Sequence, residues 1–464
     1  MNTPQADSSP EFLPPIRQKG IDHRRSGLAF LDQLPRYAGI DEVSRPGLPV
    51  DECARMVARL AALKRGCVSI YSSRMPDTPE WELKAALARW MWEDATHFKA
   101  LEDRLTELRS NKFEVGKVLS YQLGDLLTEV LHSPGSLELC TGLLDVIGPA
   151  LIRALEWYVA ETQPLVDFPT VRILKTILAE ERERQVLGQR FLDAFASVPG
   201  GGQVRAEWRA HFEQFLHHAG GVLGRDPVPS ADRRPVPRAV ERYQVTHEFA
   251  RDKRFTAAIP KRLPEKLGGD EKLRQMMWVR SQEMCAAETV AVILAEWDDL
   301  PSEAVVDLAR HCWDETRHSL MGQAALEQEG IALPDLESWV GFGIHALAES
   351  PQKALAHLSL AIEAGTMAHP GGKRGEWEFC RDVARHPLMT TFQDFDWSDE
   401  VTHVKYGRKW LIEHHFKGNR EAARKMADDS VRERVAFYAR YGTRDWMAGP
   451  KEGEGAAKEA QSGY

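Results

Sequence analysis

The sequence predicts an all-α protein built from two tandem antiparallel helical bundles. Long stretches carry apolar residues at three- and four-residue spacing, as amphipathic helices do, and the apolar–polar alternation of strands is almost absent. A proline-rich stretch divides these helical segments into two groups. The hexapeptides WEDATH (92–97) and WDETRH (313–318) each lie on the second predicted helix of their group. We therefore interpret the two groups as copies of one bundle.

These patterns divide the chain into five parts. Residues 1–47 are rich in proline and polar groups and are predicted to form an N-terminal arm, and 48–220 form the first bundle. The stretch 221–268 contains GGVLGRDPVPSADRRPVPRAVERY, whose four prolines favour an extended linker. Residues 269–445 form the second bundle, and 446–464 are predicted to be a disordered tail.

The helices follow in order from Asp51. The first is interrupted at MPDT, where Thr78 is a candidate N-cap and Pro79 a candidate first helical residue. The next covers EWELKAALARWMWEDATHFKALEDRLTELR, and further helical segments complete the first bundle. In the second bundle, DEKLRQMMWVRSQEMCAAETVAVILAEW is predicted to be one helix. It is followed by the helix with WDETRH, by PQKALAHLSLAIEAGTMA and by LMTTFQDFDWSDEVTHVKYGRKWLIEHH.

Composition argues against several classes of protein. A net charge of −9 on 464 residues argues against a nucleic-acid or anionic-membrane partner. The first segment lacks the apolar region of a secretory signal, and no run of 18 apolar residues is present. The six cysteines are scattered without a CxxC pair, which fits reduced thiols. We expect a cytoplasmic protein without a membrane or nucleic-acid partner, for which a homodimer is possible.

Two helices of the second bundle carry the residues of a metal site. Glu315 and His318 are separated by three positions and share one helix face, and Glu400 and His403 repeat the pattern on the last helix. Two Glu-x-x-His pairs, with one glutamate from each of two other helices, form the ligand set of carboxylate-bridged di-iron and di-manganese sites. Anionic oxygens offset the charge of two adjacent cations, and imidazole suits iron and manganese.

The other two glutamates are assigned by position. Glu288 lies 13 residues before Pro301 and Glu315 lies 14 after it, so an antiparallel hairpin about Pro301 holds them at one height. Glu283 is the alternative, but it sits roughly 7.5 Å lower at the helical rise. We prefer Glu288. On the third helix, Glu363 is the only acid in the apolar stretch LSLAIEAGTMA.

Residues beside the ligands are candidates for an outer layer. Metal-bound histidines usually donate their second N–H to a carboxylate. Asp314 and Asp399 each precede a ligand glutamate, and each could serve the histidine of the opposite helix, while Arg317 could offset their charge. His311 lies seven residues before His318 on the same face and is a candidate to line the site, with a packed or surface histidine as the alternative.

The motifs DETRH and DEVTH resemble the DExRH and DExxH motifs of the ferritin-like di-iron carboxylate superfamily. This superfamily includes ribonucleotide reductase small subunits and bacterial multicomponent monooxygenases. SDEVTHVKYGRKWL is similar to the last motif of a little-characterised ferritin-like family near the tRNA-hydroxylating enzyme MiaE. The resemblance covers about 270 to 415. It implies two Fe ions, with Mn or a mixed pair as alternatives, bound by Glu288, Glu315, His318, Glu363, Glu400 and His403.

The first bundle retains only part of this pattern. It keeps Asp94 and His97, and by repeat Glu156 matches Glu363 and Glu181 matches Glu400. The position of His403 falls on Arg184, and the position of Glu288 falls near Gly66 or Cys67, with no acid. We interpret this half as a degenerate copy that packs against the active half. A residual mononuclear site at Asp94, His97, Glu156 and Glu181 is the alternative.

The leading functional hypothesis is a non-haem di-iron oxidase or oxygenase that uses O₂ to oxidise a small organic substrate. The metals carry the redox chemistry, and an external electron donor is possible because no flavin or Fe–S motif is visible. The alternatives are a MiaE-like tRNA hydroxylase and a non-catalytic metal-binding or scaffold protein. The competing interpretation of the motifs is a set of solvated helix faces, or a bundle with ionic pairs in its interior.

Overall fold

The computed structural model describes residues 33–119, 122–228, 234–238, 243–260, 267–369 and 371–440. The all-α prediction is confirmed, since 73% of the described residues are helical and 2% are in strands. The predicted tail, 446–464, and most of the predicted arm lie outside the described residues. None of the helices in the described part is both long enough and apolar enough to cross a bilayer.

The described part of the first half contains eight α-helices. Their bounds are α1 Val50–Arg74, α2 Trp81–Glu107, α3 Phe113–Leu119, α4 Gln122–Leu131, α5 Ser136–Cys140, α6 Gly148–Glu161, α7 Phe168–Ala196 and α8 Gly201–His218. A π-helical segment, Thr141–Ile147, joins α5 to α6. The expected cap of α2 is wrong: Thr78 donates its hydroxyl to the carbonyl of Arg74 and closes the end of α1, and α2 begins at Trp81 after Glu80.

The second half contains the remaining helices. Their bounds are α9 Gly269–Ser281, α10 Met284–Glu296, α11 Ser302–Gln328, α12 Ile344–Leu347, α13 Pro351–Leu355, α14 Ala364–Ala368, α15 Lys373–Glu378, α16 Pro387–Gly407 and α17 Arg420–Arg440. Three π-helical segments continue α13, α15 and α16, at Ala356–Glu363, Phe379–Val383 and Arg408–His415. Two short strands, β1 Thr256–Ala258 and β2 Glu337–Trp339, pair in parallel, so the predicted extended linker contributes one strand.

The segment predicted as one helix at the start of the second half is broken. α9 ends at Ser281 and α10 begins at Met284. Gly322 of α11 lies against this break, since a Cβ at Gly322 would stand 2.2 Å from the backbone nitrogen of Ser281. Gln282 is fixed in the break because its Oε1 accepts the backbone N–H of Trp339 at 2.6 Å. The break turns Glu283 towards the neighbouring helices.

The two halves share one apolar core. The hairpins α1–α2 and α10–α11 pack against each other, chiefly through α2 and α11. Trp81 of α2 donates its indole N–H to Gln323 of α11 at 2.9 Å. Within the second half, α9–α10, α11, the π-helical segment Ala356–Glu363 and α16 surround a polar centre. In the first half, α1, α2, the Thr141–Ile147 region and α7 do the same.

Candidate metal centre

A histidine-rich set of four buried side chains lies in the middle of the second half. Its members are His311 and Glu315 of α11, Glu363 and His403. His311 Nε2 lies 2.8 Å from Glu363 Oε1, and His403 Nδ1 lies 3.2 Å from Glu315 Oε1. The two imidazole rings stack with centroids 3.9 Å apart. One donor atom from each member lies within 4.8 Å of all the others, which is close enough to surround one metal ion.

A carboxylate-rich set lies beside the first. Its members are Glu283, His318, Asp396 and Glu400, and their donor atoms again lie within 4.8 Å of one another. His318 Nδ1 is 3.2 Å from Glu283 Oε2 and 3.4 Å from Asp396 Oδ1. Glu315 faces both sets, because its Oε2 is 3.9 Å from His318 Nδ1 while its Oε1 faces His403. A carboxylate in this position is suited to bridge two ions.

Several buried atoms of these sets have no hydrogen-bond partner. The great majority of buried polar atoms in proteins are paired, so each exception needs an explanation. Here the exceptions converge on one space, where ligand bonds to a metal would satisfy them. They are Nδ1 of His318 and His403, and Oε2 of Glu283, Glu363 and Glu400.

An outer layer of ion pairs holds the two histidines of the Glu-x-x-His motifs. His403 Nε2 lies 3.4 Å from Asp314 Oδ2, and His318 Nε2 lies 3.3 Å from Asp399 Oδ2. Each aspartate therefore reaches the histidine of the opposite helix. Arg317 bonds both aspartates, with 2.7 Å to Asp399, and Arg310 binds Asp314 at 2.6 Å. These contacts orient the rings so that both Nδ1 atoms point inward.

Glu288 does not belong to the centre. Glu283 occupies the ligand position that was predicted for Glu288. Glu288 is fully buried between Lys84 of α2 and Arg251, whose guanidinium binds its two oxygens at 2.6 and 2.9 Å. The prediction of Glu288 is wrong because the loop between α10 and α11 is not centred on Pro301. Glu283 lies 13 residues before the end of α10 at Glu296, and Glu315 lies 13 residues after the start of α11 at Ser302.

Three residues of the centre, Asp396, Arg280 and Lys373, were not predicted from the sequence, and His311 was predicted only to line the site. Asp396 lies four residues before Glu400, as His311 lies four before Glu315, so helix periodicity alone could have found both. Arg280 and Lys373 are buried against the carboxylate-rich set, at 2.5 Å and 3.0 Å from Asp396.

Electrostatics within the centre are strongly perturbed. Burial raises the pKa of Glu400 to about 7, against the opposing effect of Lys373. Burial opposes the charged form of His318, but Asp396 and the other nearby acids outweigh it and raise the pKa of His318 to about 10. Burial likewise disfavours the charge on Asp314, yet His403 and Arg317 lower the pKa of Asp314 to about 2. A cluster of acids and histidines with such shifted pKa values is typical of functional sites.

A cavity of about 460 Å³ opens onto the centre. Glu283, Glu315, Glu363 and Glu400 line one side of it. Its apolar lining comes from Met276, Val279, Ala286, Trp339, Phe342, Leu358 and Ile362. Further polar lining comes from Lys272, Gln275, Arg280, Gln282, Thr366, Lys373 and Glu376. A mainly apolar cavity of this size with a few converging polar groups fits a small organic molecule.

The corresponding centre of the first half is filled by its own cations. Lys64 Nζ lies 2.7 Å from Asp94 and 2.5 Å from Glu181, and Arg184 lies 2.8 and 3.0 Å from the same two acids. His97 joins this cluster at 3.6 Å from Asp94, and one donor atom each of Asp94, His97 and Glu181 lies within 4.8 Å of the others, so three of the four residues of the predicted mononuclear site are together. The adjoining cavity measures only about 10 Å³.

Glu156 does not belong to the first-half centre. It is exposed on α6 and pairs with Arg182 at 2.7 Å. The repeat alignment that matched it to Glu363 is therefore wrong. The π-helical segment of the first half ends at Ile147, which lines the small cavity, whereas that of the second half ends at Glu363. An apolar residue thus lies where the second half has a carboxylate.

Comparisons of the chain with protein-family models, with curated proteins and with solved structures found no match. The residues of the centre therefore carry the functional argument.

Proposed function

We propose that the second half holds a pair of first-row transition-metal ions, with iron the leading candidate, and that the protein is a non-haem di-metal oxidase or oxygenase. The observation that carries the proposal is a group of five unpartnered buried donor atoms from His318, His403, Glu283, Glu363 and Glu400, beside Nε2 of His311, which faces Glu315 and Glu363. Imidazole with carboxylate oxygens suits iron and manganese better than magnesium or calcium. Iron held in this way supplies redox chemistry with O₂.

The protein's own residues would position the ions and the substrate. Glu315 would bridge the two positions, and the contacts of Asp314 and Asp399 would hold the histidine rings with Nδ1 inward. The apolar walls of the cavity would exclude water and hold a small organic molecule against the carboxylates. A substrate seated there would lie next to Glu315, Glu363 and Glu400.

Metal content and reaction with O₂ test the proposal together. We expect the purified protein to bind up to two Fe(II) per chain under anaerobic conditions, and an O₂ pulse to be consumed with a change in visible absorption. His318→Ala should lower the iron content and abolish O₂ consumption. His97→Ala is the matched control, because His97 occupies the same place in the hexapeptide of the first half.

Three results would contradict the proposal. The first is protein that retains no iron or manganese, and the second is a full complement of iron in His318→Ala. The third is iron that binds but does not react with O₂ in the presence of any small organic substrate. That third outcome would favour a non-catalytic metal-binding protein.

A further inference from the structure

The two ligand sets differ in the cations that lie against them. Within the described residues, no lysine or arginine forms an ion pair or hydrogen bond with His311, Glu315, Glu363 or His403. Two cations are packed against the carboxylate-rich set, and both are at least nine-tenths buried. This difference bears directly on metal affinity, because charges at short range in a buried site are poorly screened.

Lys373 is the cation in closest contact with the second set. Its Nζ lies 2.7 Å from Glu400 Oε1, 3.0 Å from Asp396 Oδ2 and 4.0 Å from Glu283 Oε1. It begins α15, directly after the turn that follows α14, so it comes from the chain segment between the third and fourth helices of the bundle. An ammonium group in this position repels a dication held by the same carboxylates.

Arg280 removes one potential ligand from the second set. Its Nη1 lies 2.5 Å from Asp396 Oδ1 and 2.6 Å from Glu283 Oε1. Both oxygens of Asp396 are therefore bonded to Arg280 or Lys373, and Asp396 serves the two cations rather than a metal. The second position is left with Glu283, His318 and Glu400, and with Glu315 shared between the sets.

Formal charge expresses the same asymmetry. The histidine-rich set carries two acids, Glu315 and Glu363, and no contacting lysine or arginine, which gives −2. The carboxylate-rich set carries three acids and two contacting cations, which gives −1, and Arg280 also pairs with Glu376 outside the set at 3.4 Å. The aspartates of the outer layer do not change this balance, because Arg310 and Arg317 offset Asp314 and Asp399.

We propose that the two metal positions are unequal and load in order, and that Lys373 is the residue that makes the second one weak. This inference rests on the proposed di-metal site. The histidine-rich set binds the first ion, with His311 as a ligand additional to the two Glu-x-x-His pairs. The carboxylate-rich set binds the second ion only against the repulsion of Lys373, so the occupancy of this position is adjustable.

Titration with Mn(II) followed by electron paramagnetic resonance tests the order of loading. In the wild-type protein, the first equivalent should give the signal of an isolated Mn(II), and a spin-coupled signal should grow only at concentrations at least tenfold higher. Lys373→Met should tighten the second position at least tenfold, so that the coupled signal appears with the first equivalents. Lys373→Arg keeps the charge and should retain the weak second position.

Lys272→Met is the matched control, because Lys272 lines the same cavity but its ammonium lies over the ring of Phe379 at 4.1 Å. It should leave both affinities unchanged. Thermal unfolding gives a second readout that does not depend on the spectra. Lys373→Met leaves Glu400 and Asp396 short of a cation, so its Tm should fall without metal and rise more than that of the wild type when Mn(II) is added.

Equal affinities in the wild-type protein, or an unchanged second affinity in Lys373→Met, would overturn the inference and leave the proposed function intact. Ordered loading without any reaction of the iron form with O₂ would support the unequal positions and contradict the proposed oxidase or oxygenase function. Absence of Mn(II) binding would overturn the unequal positions, and the iron content would then decide the proposed function.

Discussion

The centres of the two halves contain similar acids but neutralise them differently. In the first half, Asp94 and Glu181 are balanced by Lys64 and Arg184, whose nitrogens lie 2.5 to 3.1 Å from their oxygens. In the second half, the acids outnumber the contacting cations, and Nδ1 of His318 and of His403 each lies 3.2 Å from a carboxylate oxygen. A buried acid is stable only if it is paired, protonated or bound to a metal.

The difference teaches that residue type alone does not identify a metal site. WEDATH on α2 and WDETRH on α11 each place an acid and a histidine three residues apart. What separates them is the helix that faces each one. α1 offers Lys64 in the first half, whereas the α9–α10 break offers Glu283 in the second. We infer that Lys64 and Arg184 together hold the first-half acids in an ion-pair network.

The strongest test of the comparison exchanges one acid in each centre. Glu315→Gln should lower metal affinity at least a hundredfold at both positions, because Glu315 faces both sets. Asp94→Asn should leave metal binding unchanged and destabilise the protein by about 3–5 kcal/mol, because it deprives two buried cations of an acid. Metal analysis and denaturant unfolding of the metal-free variants measure the two effects.

Reversed outcomes would contradict the proposed difference between the two halves. Retention of two metals by Glu315→Gln would remove the shared ligand from the centre. Loss of metal in Asp94→Asn, with its fold intact by circular dichroism, would mean that the first half contributes to metal binding after all.

Glu288 and Glu283 give a second test within one helical hairpin. Glu288→Gln should cost about 3 kcal/mol of stability, since Lys84 and Arg251 lose a buried carboxylate that ties the two halves together. The loss should be smaller than for Asp94→Asn, because Arg251 keeps Ser338 Oγ and the carbonyl of Trp339 as acceptors. Glu283→Gln should instead weaken metal binding, and only at the second metal position.

Unfolding curves and metal titrations of both variants separate these roles. Loss of both metals in Glu288→Gln at unchanged stability would restore the assignment made from the sequence. An unchanged second metal affinity in Glu283→Gln would remove Glu283 from the ligand set.

The sequence was sufficient for the parts of the centre that lie on regular helices. Glu315 with His318, and Glu400 with His403, share a face because the helix repeat requires it, and the structure brings both pairs to one place. The crossing of Asp314 and Asp399 to the opposite histidines followed from the same geometry. Glu363 was accessible as an isolated acid in an apolar stretch, although its π-helical backbone was not.

Other residues of the centre are placed by irregular backbone. Two features place Glu283 rather than Glu288 in the centre: the break at 282–283, and a loop between α10 and α11 that is not centred on Pro301. The spacing of apolar residues in the sequence shows neither feature. Lys373 reaches the centre from a turn after α14, so no spacing links it to the acids it contacts. Such cations would set the metal affinity of the proposed site, and their positions follow only from the folded chain.

Buried histidines outside the candidate centre give the smallest predicted effect. Burial, reinforced by the charge of Arg434, lowers the pKa of His345 to about 4 and holds the pKa of His357 well below its usual range. A histidine whose folded pKa is depressed contributes stability above the unfolded pKa of about 6.5 and loses it as the pH falls. Stability should therefore fall between pH 6.5 and pH 4, by at most about 1.4 kcal/mol per pH unit for each histidine.

His345→Gln should flatten this dependence while keeping a donor for the carbonyl of Ser430, which His345 Nε2 contacts at 3.0 Å. Denaturant unfolding of the metal-free protein at pH 7, 6 and 5 measures the slope in each variant. Wild-type and variant curves that stay parallel would show that His345 does not titrate on unfolding. The contrast in histidine pKa between the two places would then be unsupported. In the centre, acids raise the pKa of His318, whereas burial and Arg434 lower the pKa of His345.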